Sequence, residues 1–520
     1  MEPQKVHERE KVTFRHKLVY GLGQAPGAAF GGFMGSIQTF YYGWMGLNYR
    51  FIFWTQVIYA IWNVVNDPLF GHLQDKTRTT KGRYIPWIRW TAPFFTLAFI
   101  AVFFPAQTWA FKVSGESTQW ILALWYLVTQ LAYDTGFTII YIAHVALAPQ
   151  MTMDEKERTQ IQIISTLFNI IIGGIFTFVP LIFLVDPNLQ KIRIFQIFVV
   201  IVGLISFIPW PILVRTIIER KEFIPPKENQ SSFWENVKHV LKNPSGRSYI
   251  FYDGISVFLF NAVFVGLPFT LEWIFGMKEE YNPGWGLVDI LPYLAIPIGA
   301  LIIGIFIQLK IPKPRSERGF GGDVKTALMY SLITQAIGSI ISFLGVLFST
   351  NLNYFELNLP NLAWLISIGM GITFLGFSGD MIYHNVMRAD TIDFDEISTG
   401  ERREAVYAGI GCIFSKPMIS VALISVPFFM SLFGLVPAAP EDPTNSRLIV
   451  EMGFRNAALG VALGVFLVPA IVAIIGAIAW KFYPLDKHTL AEMRIRLEKM
   501  HKKKREERLS QNDMEIKKSE

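Results

Sequence analysis

The sequence NVVNDPLFGHLQDKTRTTKGR, residues Asn63–Arg83, decides how the rest of the chain is interpreted. It begins inside an apolar segment, Phe51–Leu73, yet that segment carries Asn63, Asn66 and Asp67. An ionisable group is costly in the hydrocarbon of a membrane, so it usually faces a protein-lined cavity and marks a transport path. The stretch therefore predicts a membrane-spanning helix with a group of functional polar residues. We call this group, Asn63, Asn66 and Asp67, the polar step of the helix.

The second part of the stretch is a basic turn in which Lys76, Arg78, Lys81 and Arg83 surround Asp75. Loops rich in Lys and Arg stay on the cytoplasmic side of a membrane. We expect Asp75, Arg78 and Arg83 to act in conformational gating: they would lock the cytoplasmic side in one state and release it in the other.

The composition places the chain in the membrane class. Of its 520 residues, 52% are hydrophobic and 17% are charged, whereas soluble domains carry about 25% charged residues. The basic residues behind the net charge of +6 lie in short loops and in the tail. This distribution is typical of residues that set membrane topology and contact lipid headgroups, and it does not indicate a nucleic-acid-binding surface. No P-loop, His/Cys ligand spacing or Ser-His-Asp arrangement is visible. We therefore predict no enzyme activity, no cofactor and no metal site beyond a candidate Na⁺ site at Asp67.

Twelve segments have the length of about 20 mostly apolar residues that a spanning helix needs. Numbered as spans 1–12, they are 18–45, 50–73, 85–105, 117–148, 160–185, 193–217, 247–276, 284–309, 325–348, 360–387, 404–435 and 453–482. The longest polar break divides them into two groups of six. We predict an all-α membrane protein with twelve transmembrane helices in two six-helix bundles, 1–217 and 247–483, a central cytoplasmic loop, 218–246, and a basic cytoplasmic tail, 484–520.

The distribution of charge among the loops predicts the orientation. The N-terminus and the loops after spans 2, 4, 6, 8 and 10 hold most of the Lys and Arg, whereas Thr350–Pro360 has none. Both termini are therefore expected in the cytoplasm, in a multi-pass protein of the plasma membrane with no cleavable signal peptide.

Two amphipathic segments are predicted outside the spans. A capping box at Ser232 and Glu235 opens a short helix, Phe233–Lys242, whose Trp234, Val237 and Leu241 suit a membrane surface. The tail offers a second apolar stripe followed by the basic run Lys502–Arg508, which suits either anionic lipid or a solvated tail; the stripe consists of Leu490, Met493, Ile495 and Leu497.

The polar step of span 2 is a candidate cation or proton site. Asn63 and Asp67 are four residues apart and share a helix face, with Asn66 beside it. A carboxylate with neighbouring amide oxygens could hold Na⁺, or the carboxylate could take up a proton. The alternative is a packing cluster in which the amides bond across helices.

Lys416 lies well inside span 11, directly before Pro417. A buried ammonium needs a partner, and Asp67 in the other bundle is the best candidate for this countercharge. Such a pair would bridge the two halves, and substrate or cation binding would loosen it. A purely structural salt bridge is the alternative.

One face of span 4 combines aromatic, hydroxyl and carboxylate groups, which suits a substrate wall. Its residues at helical spacing are Asp134, Thr138, Tyr141 and Val145, with Phe137 and His144 along the edge. We assign Tyr141, Asp134, Phe137 and His144 to substrate binding; a packed polar seam is the alternative, and His144 could equally be a hydrogen-bonded core residue.

Four residues are weaker candidates. Asp253 lies on span 7, and Asp380, His384 and Asn385 lie near the end of span 10, where the cytoplasmic surface is an alternative location.

Several motifs resemble the glycoside–pentoside–hexuronide:cation symporters of the major facilitator superfamily, to which melibiose permease belongs. They are Asn66-Asp-Pro-Leu-Phe-Gly71, Asp75-Lys-Thr-Arg78, Gly82-Arg-Tyr-Ile-Pro-Trp87, Tyr20-Gly-Leu-Gly23, Ala389-Asp-Thr-Ile-Asp393, Lys416 and Phe482-Tyr-Pro-Leu-Asp486. The resemblance runs from span 1 to the start of the tail. It implies transport by alternating access, with Thr138 joining Asp67 in the cation site.

The sequence departs from that family at the residues that hold Na⁺ and sugar. Asn63 stands where the first helix-two aspartate is expected, which favours proton coupling through Asp67 or uncoupled transport. Ala29, Tyr141 and Thr166 align with the two aspartates and the arginine of the sugar clamp, so the resemblance implies the fold and a transport role but not the sugar.

The leading hypothesis is a secondary active transporter: a symporter of a sugar or glycoside-like small solute, coupled to Na⁺ or H⁺. A lysolipid or other amphiphile is the second substrate class, and a non-transporting membrane sensor of the same fold is the alternative from another class. The expected partners are a small-molecule substrate and the lipid bilayer, without nucleic acid, and the expected state is a monomer.

Overall fold

The computed structural model describes residues 12–105, 116–151, 155–184, 189–217, 219, 233–276, 287–310, 324–349, 360–399, 404–437, 448–486 and 488–500 without 494 and 498. Its elements are α1 Phe14–Leu22, α2 Ala25–Met34, α3 Tyr49–Lys76, α4 Ile85–Val102, α5 Glu116–Met151, α6 Glu155–Leu184, α7 Leu189–Phe207, α8 Pro209–Thr216, α9 Phe233–Lys242, α10 Pro244–Phe269, α11 Leu287–Lys310, α12 Val324–Phe348, α13 Pro360–Thr399, α14 Glu404–Leu432, β1 Leu435–Pro437, β2 Leu448–Val450, α15 Phe454–Ala462 and α16 Val468–Trp480. Three π-helical segments complete them: Thr39–Trp44, Thr270–Ile274 and Leu463–Leu467.

The predicted spans are helical, and spans 1, 6, 7 and 12 each consist of more than one helical segment. Span 1 consists of α1, α2 and the π-helix Thr39–Trp44, and span 12 consists of α15, a π-helix and α16. Pro26 and Pro469 lie in the first turns of α2 and α16, where a missing N–H costs nothing. Ten helices of the described residues are long and apolar enough to cross a membrane. The ten do not include span 1, which is divided into short segments, or span 2, which is α3 and has polar residues within its apolar sequence. With these two, the number of spans is twelve, as predicted.

Two predicted boundaries differ from the structure. Span 10 was expected to end at residue 387, but α13 continues to Thr399 and occupies most of the predicted loop. Span 11 was expected to reach residue 435; α14 ends at Leu432, and β1 then pairs antiparallel with β2, from Leu435 opposite Val450 to Pro437 opposite Leu448. Apolar periodicity alone does not mark where an amphipathic helix leaves the membrane.

The two bundles meet at the end of the molecule opposite the loop 77–84. We call the end that carries this loop the basic-loop end, and the other the far end. At the far end, Gly43 lies close to Phe269: a Cβ on Gly43 would be 3.4 Å from the Phe269 ring. The rings of Tyr49 and Phe428 lie 6.1 Å apart between their centroids. The far end is therefore closed by direct packing of one bundle on the other.

The amphipathic segments dock on the C-terminal bundle. Helix α9 has the predicted bounds, but the residue that it buries completely is Val240, while Leu241 is exposed. Ser232, the side chain of Trp234 and Lys502–Arg508 lie outside the described residues. In the tail, Leu490 and Met493 are buried in the core of the C-terminal bundle.

Candidate ion-coupling site

A charged contact joins the two bundles near the middle of their spans. Lys416 of α14 places its ammonium 2.6 Å from Asp67 Oδ1 of α3. The same ammonium donates to Thr138 Oγ1 of α5 at 3.0 Å, and the Thr138 hydroxyl donates to Asp67 Oδ1 at 2.8 Å. Three helices from both halves of the chain therefore meet at one salt bridge, and the residue that Lys416 contacts is the expected one.

A second carboxylate belongs to this cluster, and it comes from span 4. Asp134 is 5% exposed, and its Oδ1 lies 3.9 Å from the Lys416 ammonium. It accepts hydrogen bonds from Asn66 Nδ2 at 2.7 Å and from the Tyr59 hydroxyl at 3.1 Å. The sequence analysis assigned Asp134 to the substrate wall; the structure instead places its carboxylate beside the polar step of span 2.

The cluster carries more negative than positive formal charge. Asp67 and Asp134 are two carboxylates, and Lys416 supplies one ammonium, so with all three ionised the sum is one negative charge. Charges removed from water are favourable only when they are paired and hydrogen-bonded. A bound monovalent cation or a proton would complete the balance.

Unpartnered amide atoms border the cluster. Asn63 is fully buried, and neither its Oδ1 nor its Nδ2 makes a hydrogen bond of normal geometry among the described residues, although its side chain lies near the Tyr59 hydroxyl. The Oδ1 of Asn66 is likewise buried and without a partner there, while its Nδ2 bonds Asp134 and Thr138. Buried amide oxygens are normally satisfied, and oxygen atoms are the ligands that hard cations prefer. The donor set of amide, hydroxyl and carboxylate oxygens therefore fits a small cation.

The face of span 4 that was predicted to bind substrate has buried side chains toward one end of the helix and exposed side chains toward the other. Asp134 and Thr138 are buried, whereas Tyr141 and Val145 are each 46% exposed. The Tyr141 ring stacks on Phe137 with centroids 5.4 Å apart and an interplanar angle of 11°. Tyr141 also lies within electrostatic range of Arg388, Cys412 and Lys416 of the other bundle. Tyr141 therefore lies beside the other bundle with part of its ring exposed, and we interpret this surface as the wall of a cavity between the bundles on the basic-loop side of Lys416.

His144 does not share this cavity surface. It is 2% exposed, its Nε2 lies 2.9 Å from the Tyr20 carbonyl oxygen, and its ring stacks on Tyr20 with centroids 4.2 Å apart. The Tyr20 hydroxyl donates to the His144 carbonyl at 3.0 Å. The expected substrate contact of His144 is thus replaced by packing between spans 1 and 4.

Comparison with known proteins identifies the family. A family model described as MFS/sugar transport protein matches residues 19–487. The chain belongs to this family. It is a membrane transporter of the glycoside–pentoside–hexuronide:cation symporter type within the major facilitator superfamily, and not an enzyme.

The proteins similar to this chain include whole-length relatives, partial relatives and a solved structure of similar fold. An uncharacterized symporter of Synechocystis sp. is 24% identical over 94% of this chain and 97% of its own length. The sodium-dependent lysophosphatidylcholine symporter 1 of Gallus gallus is 26% identical over 30% of this chain and 28% of its own. A crystal structure of a bacterial homologue of the human lysosomal transporter Spinster, inward-facing and unoccupied, has a TM-score of 0.53 at 12% identity, covering 93% of this chain and 99% of that one. At this identity the last comparison supports the fold alone.

The loop expected to gate this transporter is fastened to the chain that follows span 6. The carboxylate of Glu219 accepts the backbone N–H groups of Arg83, Tyr84 and Ile85 at 2.6, 2.7 and 2.7 Å. Gly82 has φ +113°, and a Cβ there would lie 2.3 Å from the Glu219 carboxylate carbon, so the turn requires glycine. Glu219 carries no signal of this role in the sequence, because it is more than 130 residues away from the loop.

The predicted gating side chains have different surroundings. Arg83 is 5% exposed and its guanidinium lies 5.0 Å from the Tyr84 ring centroid, which is a cation–π contact. Arg78 is exposed and donates to the Thr77 carbonyl at 3.0 Å. The side chain of Asp75 lies outside the described residues.

The remaining candidates lie in the C-terminal bundle and at the positions of the sugar clamp. His384 lies between Asp253 and Asp380, partly buried where α10 meets α13; the side chain of Asn385 lies outside the described residues. Ala29 is 1% exposed in the core, and Thr166 is exposed.

Proposed function

We propose that the protein is a cation-coupled symporter, in which the Asp67–Asp134–Lys416 cluster takes up one Na⁺ or H⁺ together with a small solute. The observation that carries this proposal is the excess carboxylate at the contact between the two bundles. Thr138 and the amide oxygens of Asn63 and Asn66 would supply further ligands for Na⁺. For a proton, one of the two carboxylates would be the acceptor.

The same cluster links ion binding to alternating access. A cation bound between the carboxylates competes with the Lys416 ammonium for Asp67 and weakens the contact between α3 and α14. A ligand shifts a conformational equilibrium only when it binds the two states with different affinity, and a site built from both bundles has that property. With both termini in the cytoplasm, the cavity beside Tyr141 faces the cell interior in this conformation.

The first candidate solute is a sugar or a glycoside-like molecule. The family description supports this class. The stacked rings of Phe137 and Tyr141 offer a flat apolar platform on the cavity wall, which suits the apolar face of a pyranose ring or of an aglycone.

The second candidate is a lysolipid or another amphiphile. Ala29 and Tyr141 stand where the sugar clamp would place carboxylates, which leaves the cavity less polar and more aromatic. The partial similarity to a lysophosphatidylcholine symporter points to the same class.

The decisive experiment is uptake by the purified protein in proteoliposomes. Sugars, glycosides and lysolipids are offered separately under an imposed Na⁺ gradient, an imposed H⁺ gradient, or neither. We expect accumulation of one class that depends on one of the gradients, and loss of that dependence in Asp134→Asn and Asp67→Asn. Glu451→Gln, an exposed carboxylate far along the chain from the cluster, is the matched control and should keep it.

Two outcomes would contradict the proposal. Uptake that ignores both gradients in the unaltered protein means that the cluster is structural. Gradient-driven uptake that survives Asp134→Asn and Asp67→Asn places ion coupling elsewhere in the chain.

A further inference from the structure

A second charged cluster lies inside the C-terminal bundle, where α10 packs against α13. His384 Nε2 is 2.8 Å from Asp253 Oδ1, and His384 Nδ1 is 3.7 Å from Asp380 Oδ1. The three side chains are only 12–18% exposed. Asp380 also accepts the Tyr252 hydroxyl at 2.7 Å on Oδ1 and the Ser256 hydroxyl on Oδ2. The imidazole therefore lies between two carboxylates that belong to different helices.

The placement of the two ring nitrogens favours a charged imidazole. A neutral imidazole has one N–H and one lone pair, so it can donate to one carboxylate while its lone pair faces the other. At 3.7 Å the contact between His384 Nδ1 and the Asp380 carboxylate is too long for a hydrogen bond. Its energy therefore comes from the electrostatic interaction between the ring and the carboxylate. Only the imidazolium attracts Asp253 and Asp380 at the same time. Since each oxygen of Asp380 accepts a hydroxyl, that carboxylate is arranged as an anion.

The other ionisable groups around His384 come from each helix that packs there. Tyr249 of α10 has its ring centroid 6.2 Å from that of His384. Arg388, one turn further along α13, interacts with Tyr249. Cys412 of α14 lies within electrostatic range of Asp253 and Arg388, and also of Asp67 and Lys416 in the ion-coupling cluster. Among the described side chains that face His384, there are thus two carboxylates and one guanidinium, and the imidazolium brings their formal sum to zero.

This cluster is separate from the ion-coupling site. A Cβ on Gly411 would lie 3.4 Å from Asp253 Oδ2, which places Asp253 beside residue 411 of α14. Lys416 is five residues further along the same helix, about 7–8 Å at the helical rise. The ion-coupling cluster joins the two bundles, whereas His384 and its partners belong to one bundle.

We propose that His384, set between Asp253 and Asp380, is a proton-binding site of the C-terminal bundle, distinct from the ion-coupling cluster. The bound proton holds α10 against α13, because it turns two mutually repelling carboxylates into partners of one cation. Loss of the proton loosens that contact on the basic-loop side of Lys416. The transporter therefore responds to pH through a group that takes no part in coupling.

The experiment is nitrogen NMR of the full-length protein labelled with ¹⁵N-histidine in lipid vesicles. The chain has eight histidines, and an ordinary histidine is mostly neutral at about pH 7.5. We expect a doubly protonated ring at that pH that is lost in His384→Gln and retained in His144→Gln and His239→Gln. His144 is the buried control without a carboxylate, and His239 is the control that has one, Asp395 at 3.0 Å. Should His384→Gln fail to fold, Asp253→Asn serves instead, and the same signal should then become neutral.

The result that overturns the proposal is a neutral His384 at about pH 7.5 in the unaltered protein. A second arm tests separateness: the doubly protonated signal should persist in the Asp67→Asn/Asp134→Asn double variant, and its loss there would also overturn the proposal. The readout needs no transport. A protein whose uptake ignores both ion gradients but whose His384 stays protonated would refute the proposed function and leave this site intact.

Discussion

The polar contacts between the two bundles differ in kind from those within a bundle. Between the bundles, Lys416 reaches Asp67 beside unpartnered amides, and the Tyr42 hydroxyl donates to the Leu435 carbonyl at the far end. Within a bundle, Glu219 and Asp380 are carboxylates whose two oxygens both accept hydrogen bonds. Glu219 accepts three backbone N–H groups, and Asp380 accepts two hydroxyls beside His384.

The difference indicates which contacts move. Alternating access must break and re-form the contacts between the bundles, and the salt bridge of Lys416 with Asp67 is a charged contact of this kind among the described residues. Contacts within a bundle such as those of Glu219 and Asp380 keep each half rigid while it rocks, because a carboxylate whose oxygens are all hydrogen-bonded favours one arrangement. The following substitutions test this division, beginning with the largest expected effect.

Replacing the ammonium that joins the bundles should have the largest effect. Lys416→Met leaves Asp67 and Asp134 without their cation, so we expect at least a 100-fold loss of uptake. We also expect a loss of up to about 3 kcal/mol in the free energy of unfolding, since one partner of a largely buried pair is removed. Uptake in proteoliposomes and chemical unfolding measure the two.

The double variant Lys416→Met/Asp67→Asn checks the cause. Because it removes both partners, it should be more stable than Lys416→Met alone. Equal or lower stability of the double variant would show that the pair does not govern the effect.

The Glu219 carboxylate, which binds the backbone of residues 83–85 and which we call the clasp, should affect stability without affecting coupling. Glu219→Gln removes the charge from an acceptor of three backbone N–H groups, so the free energy of unfolding should fall by about 2 kcal/mol. The ratio of uptake with and without the ion gradient should stay unchanged. The exposed Glu492→Gln is the control and should change neither quantity. A changed gradient ratio in Glu219→Gln would assign this clasp to the moving contacts.

Features that depend on local pattern could be predicted from the sequence. The twelve helical segments follow from runs of apolar residues, and α9 follows from its capping box. The approach of Lys416 to Asp67 follows from electrostatics: a buried ammonium needs an anion, and few anions are available within the spans.

Features that depend on the relative rotation of helices could not be predicted. Asp134 and Tyr141 share one face of span 4, yet Asp134 faces Asn66 and Tyr141 faces the cavity, because neighbouring helices cover the face only in part. His144 carries no sign in the sequence of its stack with Tyr20, 124 residues away. The clasp by Glu219 likewise requires the three-dimensional path of the chain after span 6.

Adding a carboxylate to the contact between the bundles should sharpen its ion dependence. Asn63→Asp places a further negative charge where both amide atoms lack partners, so we expect about a tenfold gain in apparent affinity for the coupling cation, or about 1.4 kcal/mol. Thermal unfolding of the purified protein against increasing Na⁺ and against pH measures it, because a bound ligand stabilises the folded form. Asn261→Asp, in span 7 away from the cluster, is the control. An unchanged Na⁺ and pH dependence in Asn63→Asp would exclude Asn63 from the site.

The smallest effect is expected at the far end, where the Tyr42 hydroxyl joins the bundles through the Leu435 carbonyl. Tyr42→Phe keeps the ring but leaves the buried Leu435 carbonyl without its donor, which costs about 1 kcal/mol in the conformation closed at this end. The population should therefore shift by about fivefold toward separation of the far ends. Crosslinking of Tyr49→Cys to Phe428→Cys by a bifunctional thiol reagent, in a Cys412→Ser background, should fall accordingly.

The neighbouring Tyr41 provides the matched control for this last substitution. It is equally buried, but its hydroxyl donates to the Val102 carbonyl of the same bundle at 2.6 Å. Tyr41→Phe should lower stability by a similar amount and leave the crosslinking yield unchanged. If both substitutions reduce crosslinking equally, the hydroxyl between the bundles has no special part in closure, and the distinction between moving and rigid contacts fails at the far end.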